Sequence, residues 1–524
     1  MMQFSFEIKV EEFDGPSILK GGFALNVGEK RVVCSLPAGH LNSVTATAPL
    51  HLAEGEKIFM NGYQSRTYCP EYGARDTMRG YGPLPQSMVD RITNSGDYYF
   101  VDYPNHSGQF QGFSYCYFRY HDTYRLIASL DERTGYTFFF YDANEGVLTI
   151  QRDCEGLKCN GDFHAFDLFY AVGEENEVFD AWFAAMGVHP ATTEKLAGAS
   201  TGHERGLREQ TVHAMLDSCD GILEMDDLFL VDEGWEPMAG DWLEPDETRF
   251  PGGMSALSDA IHERGYLAGL SLAPFVVQEG SKLYKAHPEW LLRDGDGNKW
   301  SADGATLYAL DIDHPDARLY LGQVFGRIFG EWNYDLVKVD LLYAAAPYGS
   351  ETESRAGRMI RAMELLREWC GYRKLLACGV PLMPAFGIAD YCRVGCDVTP
   401  DWDDKLHLRL MHRERPSTRH AVGNAVFRRQ LNGRAFLSDP DVFYLPDDGR
   451  LNPKQRQSLA AADAVFGGLC LFAPDTARRS DPTQYRELRR LREATDAGIY
   501  VDGKWQLYCE LEGEHYKLTL DNLP

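Results

Sequence analysis

The sequence predicts a multidomain α/β chain: a (β/α)8 barrel catalytic domain with an N-terminal β-sandwich and a short C-terminal antiparallel β appendage. Three observations carry that prediction. Eight short apolar runs recur between residues 196 and 472, and amphipathic segments separate most of them, as parallel strands alternate with helices. Ahead of them, to about residue 190, short runs rich in aromatic and β-branched residues are punctuated by turn residues. The charged residues that enter the apolar runs stand near their carboxyl ends, where barrels keep their chemistry.

Length agrees with this division. A chain of 524 residues is too long for one ordinary core. The expected units are a sandwich over 1–190, a barrel over 191–495 and a β appendage over 496–524. In the front unit, 31–36, 98–103, 136–141 and 146–150 read as strands, and no long helical period is visible. The eight barrel runs are 196–199, 228–232, 266–272, 336–342, 375–378, 389–394, 435–439 and 468–472. Helical periodicity marks 254–264, 319–332, 359–369, 455–466 and 485–494. The fifth connection is short and broken by Pro384. Strand alternation returns over 499–520. No G-x-G-x-x-G or P-loop supports a nucleotide-binding sheet.

Composition excludes several functions. An apolar fraction of 44% with 28 Tyr and 28 Phe is incompatible with a disordered chain. With 52 Lys and Arg against 78 Asp and Glu, the net charge of −26 disfavours nucleic acid and anionic membrane, because phosphate would be repelled. The first residues lack a basic-then-apolar leader, and no apolar run approaches the ~20 residues of a membrane helix. A cytoplasmic protein with no membrane partner is therefore expected. The 12 Cys contain no C-x-x-C pair and read as free thiols.

The run Leu336-Val337-Lys338-Val339-Asp340 is the centre of the chemistry. Its Lys and Asp are two positions apart, so both side chains point the same way on a strand. Other strand ends carry further polar groups: Asp232-Glu233-Gly234-Trp235 on the second, Cys378-Gly379 on the fifth, Arg393 to Asp397 on the sixth, and Asp439-Pro440-Asp441 on the seventh. In a barrel these converge on one mouth. Carboxylates that cluster push each other's pKa values apart, which is what a glycosidase needs from its paired acids. A bound divalent cation is the competing use, but Lys338 and Arg393 would oppose it, so neither metal nor cofactor is expected. A structural charge network is the third reading.

The motifs Asp-Glu-Gly-Trp at 232–235, Gly240-Asp241-Trp242, Phe250-Pro251-Gly252-Gly253-Met254, Lys338-Val339-Asp340, Cys378-Gly379-Val380-Pro381-Leu382 and Arg393 to Trp402 follow one another in order. Together they resemble glycoside hydrolase family 36 of clan D, its compact bacterial α-galactosidases above all. The turn Asn61-Gly62-Tyr63-Gln64-Ser65 is similar to one in that family's front sandwich. The resemblance implies a retaining mechanism, with Asp340 as nucleophile and Asp397 as general acid/base. It implies that Lys338, Arg393 and Asp232 hold sugar hydroxyls and that Cys378 and Gly379 line the pocket. An oligosaccharide or glycoconjugate would be the partner, and a homo-oligomer is possible. The chain departs from the family where Glu233 replaces a second Asp, where Ser271 replaces a Trp, and where the first strand ends without Trp. Trp402, Tyr63, Trp242 and Tyr343 are candidate substitutes for the missing rings. The added room and the polar groups Glu233, Ser271, His203 and Glu204 point to an altered sugar, a 2-amino or 2-acetamido galactose, beside plain galactose. A non-catalytic carbohydrate-binding barrel remains an alternative.

Overall fold

A computed structural model describes the chain except residues 13–17, 81–95, 98–99, 102, 155, 203–205, 400, 404–413, 445–450, 475–481, 494–499, 502–505, 512–513 and 520–524. His203 and Glu204 therefore lie outside the described residues.

The front of the chain forms one antiparallel sheet of 11 strands. Two long strands, Gly28–Pro49 and Lys158–Gly173, run through its middle, and their pairing shifts register twice. Such bulges bend a strand and increase its twist, so one sheet can fold over on itself. The ring of Phe118 on strand Tyr115–Tyr120 packs edge-on against Tyr141 on strand Tyr136–Asp142, with centroids 5.0 Å apart. Those two strands are far apart in the sheet order, so their contact closes a sandwich around a core that includes Phe4, Val44, Ile58, Ile127, Phe139 and Phe166.

One expectation for this region needs correction, and one falls largely outside the described residues. Of the strand expected at 98–103, residues 98, 99 and 102 are not described; the amides of Phe100 and Val101 both bond to the Asp97 carbonyl, and Phe100 joins a ring cluster with Tyr63, Phe113 and Tyr136. The region expected to be without helices contains one, Glu175–Met186. Its buried residues Val178, Phe179, Trp182 and Phe183 repeat at helical spacing, but their aromatic character resembles the strands before them. Trp182 donates to the Ser129 carbonyl at 2.9 Å and packs on Phe386, which couples the sandwich to the barrel.

The barrel strands appear where the apolar runs predict them: Leu196–Ser200, Leu228–Val231, Leu267–Leu272, Leu336–Val339, Lys374–Ala377, Tyr391–Arg393, Leu437–Asp439 with Val442–Phe443, and Leu469–Phe472. All pairings among them are parallel. The seventh strand breaks at Pro440-Asp441. Its first half pairs with the sixth strand and its second half with the eighth. The amide of Gly468 also bonds to the Ser438 carbonyl at 2.8 Å, so the sheet curls into a TIM-like ring. The outer helices include Glu209–Ser218, Gly253–His262, Pro315–Gly326, Arg355–Cys370, Thr418–Phe427, Pro453–Phe466 and Pro482–Glu493. The fifth connection carries the short 3-10 turn Met383–Ala385. Three antiparallel strands, Tyr500–Val501, Gln506–Leu511 and Glu514–Thr519, follow at the end. Among the described residues no helix is long and apolar enough to cross a membrane.

Candidate active site

Parallel strands buried on both faces are apolar runs, so a charge within one needs a partner. Lys338 has one. Its ammonium lies 2.9 and 3.1 Å from the two carboxylate oxygens of Asp232, across the mouth from the end of the second strand. Both side chains are nearly enclosed, at 5% and 9% exposure. Burial opposes the charge of Lys338, but Asp232, with Asp340 and Cys378, more than offsets it and holds the amine well above its usual range. The amide of Asp232 donates to the Thr201 hydroxyl at the end of the first strand.

Asp340 stands one residue past its strand. Its amide bonds to the Leu272 carbonyl at 2.9 Å, and its carboxylate accepts from the Leu341 amide at 2.6 Å. Leu341 adopts a left-handed conformation with φ 53°. That is uncommon for a residue with a branched side chain, and it turns the chain away immediately after the carboxylate. Gly379 is fitted to this turn. Its own φ is +64°, and a Cβ there would stand 3.3 Å from the Asp340 carboxylate and 3.2 Å from the Leu341 amide.

Arg393 ends the sixth strand inside a cage of acids. It bonds Asp439 at 2.7 Å, Asp441 at 2.8 Å and Asp397 at 3.3 Å. Asp439 and Asp441 are buried, so the acids of the seventh strand serve Arg393 rather than opening on the cavity. Asp397 is different: its side chain is 39% exposed. Behind them Asp463 is enclosed, and burial with the charges of Asp441 and Asp439 pushes its carboxyl well up.

Cys378 ties the two halves of the mouth together. Burial pushes its thiol well up, Asp340 and Asp397 both add to this, and Arg393 and Lys338 oppose it. One thiol thus feels both candidate catalytic carboxylates. Glu233 is also pushed well above the usual carboxylate range, first by burial, then by Asp340 and Asp232. Ser271 is fully buried and reaches the mouth through Glu233, with its hydroxyl 3.4 Å from that carboxyl. The arrangement offers several carboxyl groups, one of them pushed well up, and two engaged cations around one opening.

Trp402 and Trp242 are buried, and Tyr63 belongs to the sandwich ring cluster. Tyr343 lies near the site and donates to the Ala302 carbonyl at 3.2 Å. One residue at the mouth escaped the sequence reading. Arg66, in the sandwich turn after Ser65, interacts electrostatically with Asp397, Tyr343, Asp340 and Cys378. Its only signal was adjacency to the Asn61–Ser65 motif.

Fold and site together define an α/β barrel with paired acids and buried cations at its carboxyl-end mouth. Comparison narrows the class. Residues 209–362 match the Melibiase family model, a stretch that includes Asp232, Glu233, Lys338 and Asp340 but ends before Arg393 and Asp397. An α-galactosidase of Escherichia coli is 26% identical over 151 residues, covering 27% of this chain and 21% of that protein. An A type blood α-D-galactosamine galactosaminidase of Flavonifractor plautii is 45% identical over 125 residues, covering 22% of this chain and 11% of that protein. The matched stretch thus spans about a fifth or less of these two relatives. The fold extends further: an α-galactosidase from Thermus thermophilus superposes with TM-score 0.73 at 24% identity, covering 94% of this chain and 99% of that one. A GH36 α-galactosidase from Geobacillus stearothermophilus superposes with TM-score 0.62 at 11% identity, covering 99% and 82%.

Proposed function

We propose that the protein is a retaining, exo-acting glycoside hydrolase that removes terminal α-linked galactose-type residues from oligosaccharides or glycoconjugates. The observation that supports this best is the placement of two carboxylates just past the ends of different barrel strands: Asp340 after Leu336–Val339, fixed by the Leu341 amide at 2.6 Å, and the part-exposed Asp397 after Tyr391–Arg393, 3.3 Å from Arg393. Asp340 attacks the anomeric carbon as the bond to the leaving oxygen breaks, and Asp397 gives that oxygen its proton. A covalent glycosyl-enzyme results. Asp397, now ionised, takes a proton from water, whose oxygen attacks the same carbon and frees Asp340. Two inversions return the α configuration. A pair doing this lies ~5–5.5 Å apart between carboxyl groups. Asp232 and Lys338 would hold hydroxyls on the far side of the ring, and Gly379 lets the ring approach Asp340.

A second reading changes the sugar and keeps the mechanism. Glu233, backed by Ser271, is held well above the usual carboxylate range by burial and by Asp340 and Asp232. A neutral 2-amino group would take a proton from the carboxyl and pair, as the ammonium, with the carboxylate left behind. The 45% identity to the Flavonifractor galactosaminidase favours this sugar.

Release of 4-nitrophenol from aryl α-galactoside, α-galactosaminide and α-N-acetylgalactosaminide tests both readings. Cleavage with the α-anomer as first product, abolished by Asp340→Asn, is expected. A preference for the galactosaminide that disappears in Glu233→Gln selects the second reading. Sugar binding without cleavage of any of the three would instead make the barrel a binding protein.

A further inference from the structure

The seventh barrel strand breaks at Asp441, and the break gives this side chain its reach. Its φ is +87°, in a region that residues with side chains seldom enter. Its amide donates to the Asp439 carboxylate at 3.0 Å, which helps to hold that conformation. Backbone of this kind persists where the surroundings fix it, and it clusters at functional sites. The carboxylate of Asp441, only 4% exposed, serves two donors at once. One oxygen lies 2.8 Å from Nη2 of Arg393, and the other accepts from the Val398 amide at 2.7 Å. Val398 directly follows Asp397.

Both contacts bear on Asp397. The three nitrogens of the Arg393 guanidinium meet three different acids. Nε donates to Asp439 at 2.7 Å, Nη2 pairs with Asp441, and Nη1 donates to Asp397 at 3.3 Å. A guanidinium is a rigid plane, so two buried acids that hold Nε and Nη2 also fix the direction of Nη1. The backbone around Asp397 is tied as well. Asp441 holds the Val398 amide on one flank. On the other, the Cys396 thiol accepts from the Ser417 amide and donates to the Ser417 carbonyl, at 3.4 Å each. Asp397 thus projects a 39%-exposed carboxyl from a backbone pinned on either side. A carboxylate suits position 441 because both of its oxygens accept. An amide there would accept from one donor and turn its own N–H toward the other.

We propose that Asp441 is a positioning residue for Asp397, acting through Nη1 of Arg393 and through the Val398 amide. The inference rests on Asp397 being the acid/base of the proposed hydrolase. In that role Asp397 must hold one oxygen at the leaving group in the first step and at the attacking water in the second. Without the Asp441 carboxylate, the Arg393 plane can turn about its bond to Asp439, and the amide after Asp397 is released. The Asp397 carboxyl then spends less time in the geometry for proton transfer, and a misplacement of about 1 Å costs up to about a hundredfold in rate. Asp232 and Lys338, across the mouth, keep their own pair.

The test compares wild type, Asp441→Asn and Asp441→Gly on a disaccharide and on a 4-nitrophenyl α-glycoside. Both substrates carry the same sugar, galactose or galactosamine, whichever the wild type prefers. Asn keeps the side chain's size, and Gly suits a φ of +87° while removing the carboxylate. In kcat/KM, which reports the step that breaks the glycosidic bond, a sugar leaving group needs the proton, whereas nitrophenolate leaves with little help. Both variants should lose about thirtyfold on the disaccharide, in kcat rather than KM, and less than about threefold in kcat/KM on the nitrophenyl substrate. The ratio between the two substrates is independent of the fraction of protein that folds, so it can be read even from a poorly folding variant. Equal losses on both substrates would overturn the inference and leave the hydrolase standing. So would a loss carried by KM, or variants as fast as wild type on the disaccharide. A wild type that cleaves neither substrate with either sugar would overturn the function itself, and this inference with it.

Discussion

Replacing Lys338 with methionine removes one member of an almost wholly enclosed ion pair. The ammonium is bidentate to Asp232 at 2.9 and 3.1 Å, and both side chains are under 10% exposed. Removing one partner of such a pair leaves an uncompensated buried charge, which costs about 3–5 kcal/mol. At roughly 2 °C per kcal/mol for a large domain, the barrel's melting transition should fall by about 6–10 °C at pH 8. Asp232 can escape only by binding a proton, so the deficit should shrink as pH falls toward 5. Differential scanning calorimetry of Lys338→Met and of the double variant Asp232→Leu/Lys338→Met reads this directly. The double variant should regain most of the lost stability, because two apolar side chains of similar size leave no orphaned charge. A single-variant loss below about 1 kcal/mol, or a double variant no more stable than the single, would refute the reasoning.

Two further perturbations probe other parts of the chain. Glu132, enclosed in the sandwich, is pushed up to about 7 from 4.5, chiefly by burial, with Arg152 and bonds from Thr137 and Ser114 opposing. The folded form therefore holds a proton that the unfolded chain releases near pH 4.5, and stability falls as pH rises from there to about 7. That rise corresponds to roughly 3 kcal/mol, and Glu132→Gln should flatten the slope; an unchanged slope in urea titrations at pH 5 and 7.5 would contradict it. Arg428→Met strips charged donors from four acceptors in the sandwich–barrel seam. At about 1.5–3 kcal/mol for a bond to a charged group, it should lower stability by several kcal/mol and open the 61–67 turn to protease, while an unaltered digestion pattern would count against the seam.

Much of the barrel was legible because parallel strands covered on both faces must be apolar, and eight such runs are hard to mistake. Five helices were read where one face meets water, though Glu209–Ser218, which has such a face, was not. Thr418–Phe427 was not, since every residue in it except Arg419 is buried and no polar face marks its period. The helix Glu175–Met186 was hidden by its aromatic residues. The strand ends announced their acids and cations, but not who pairs with whom. Lys338 turns to Asp232 rather than standing free, and Asp439 and Asp441 cage Arg393. Those choices follow from barrel closure, which no local window contains. Arg66 is the extreme case: it interacts electrostatically with Asp340 and Asp397, hundreds of positions later in the chain.

The account stands on Asp340 forming a bond to the sugar. Incubating the protein with an activated fluorinated α-galactoside slows release of the glycosyl-enzyme and allows peptide mass spectrometry to locate the label. One sugar per chain, attached to Asp340 and lost on incubation with acceptor, is the predicted result. Steady turnover of α-galactosides with no adduct, or an adduct on Asp397 or another side chain, would contradict it.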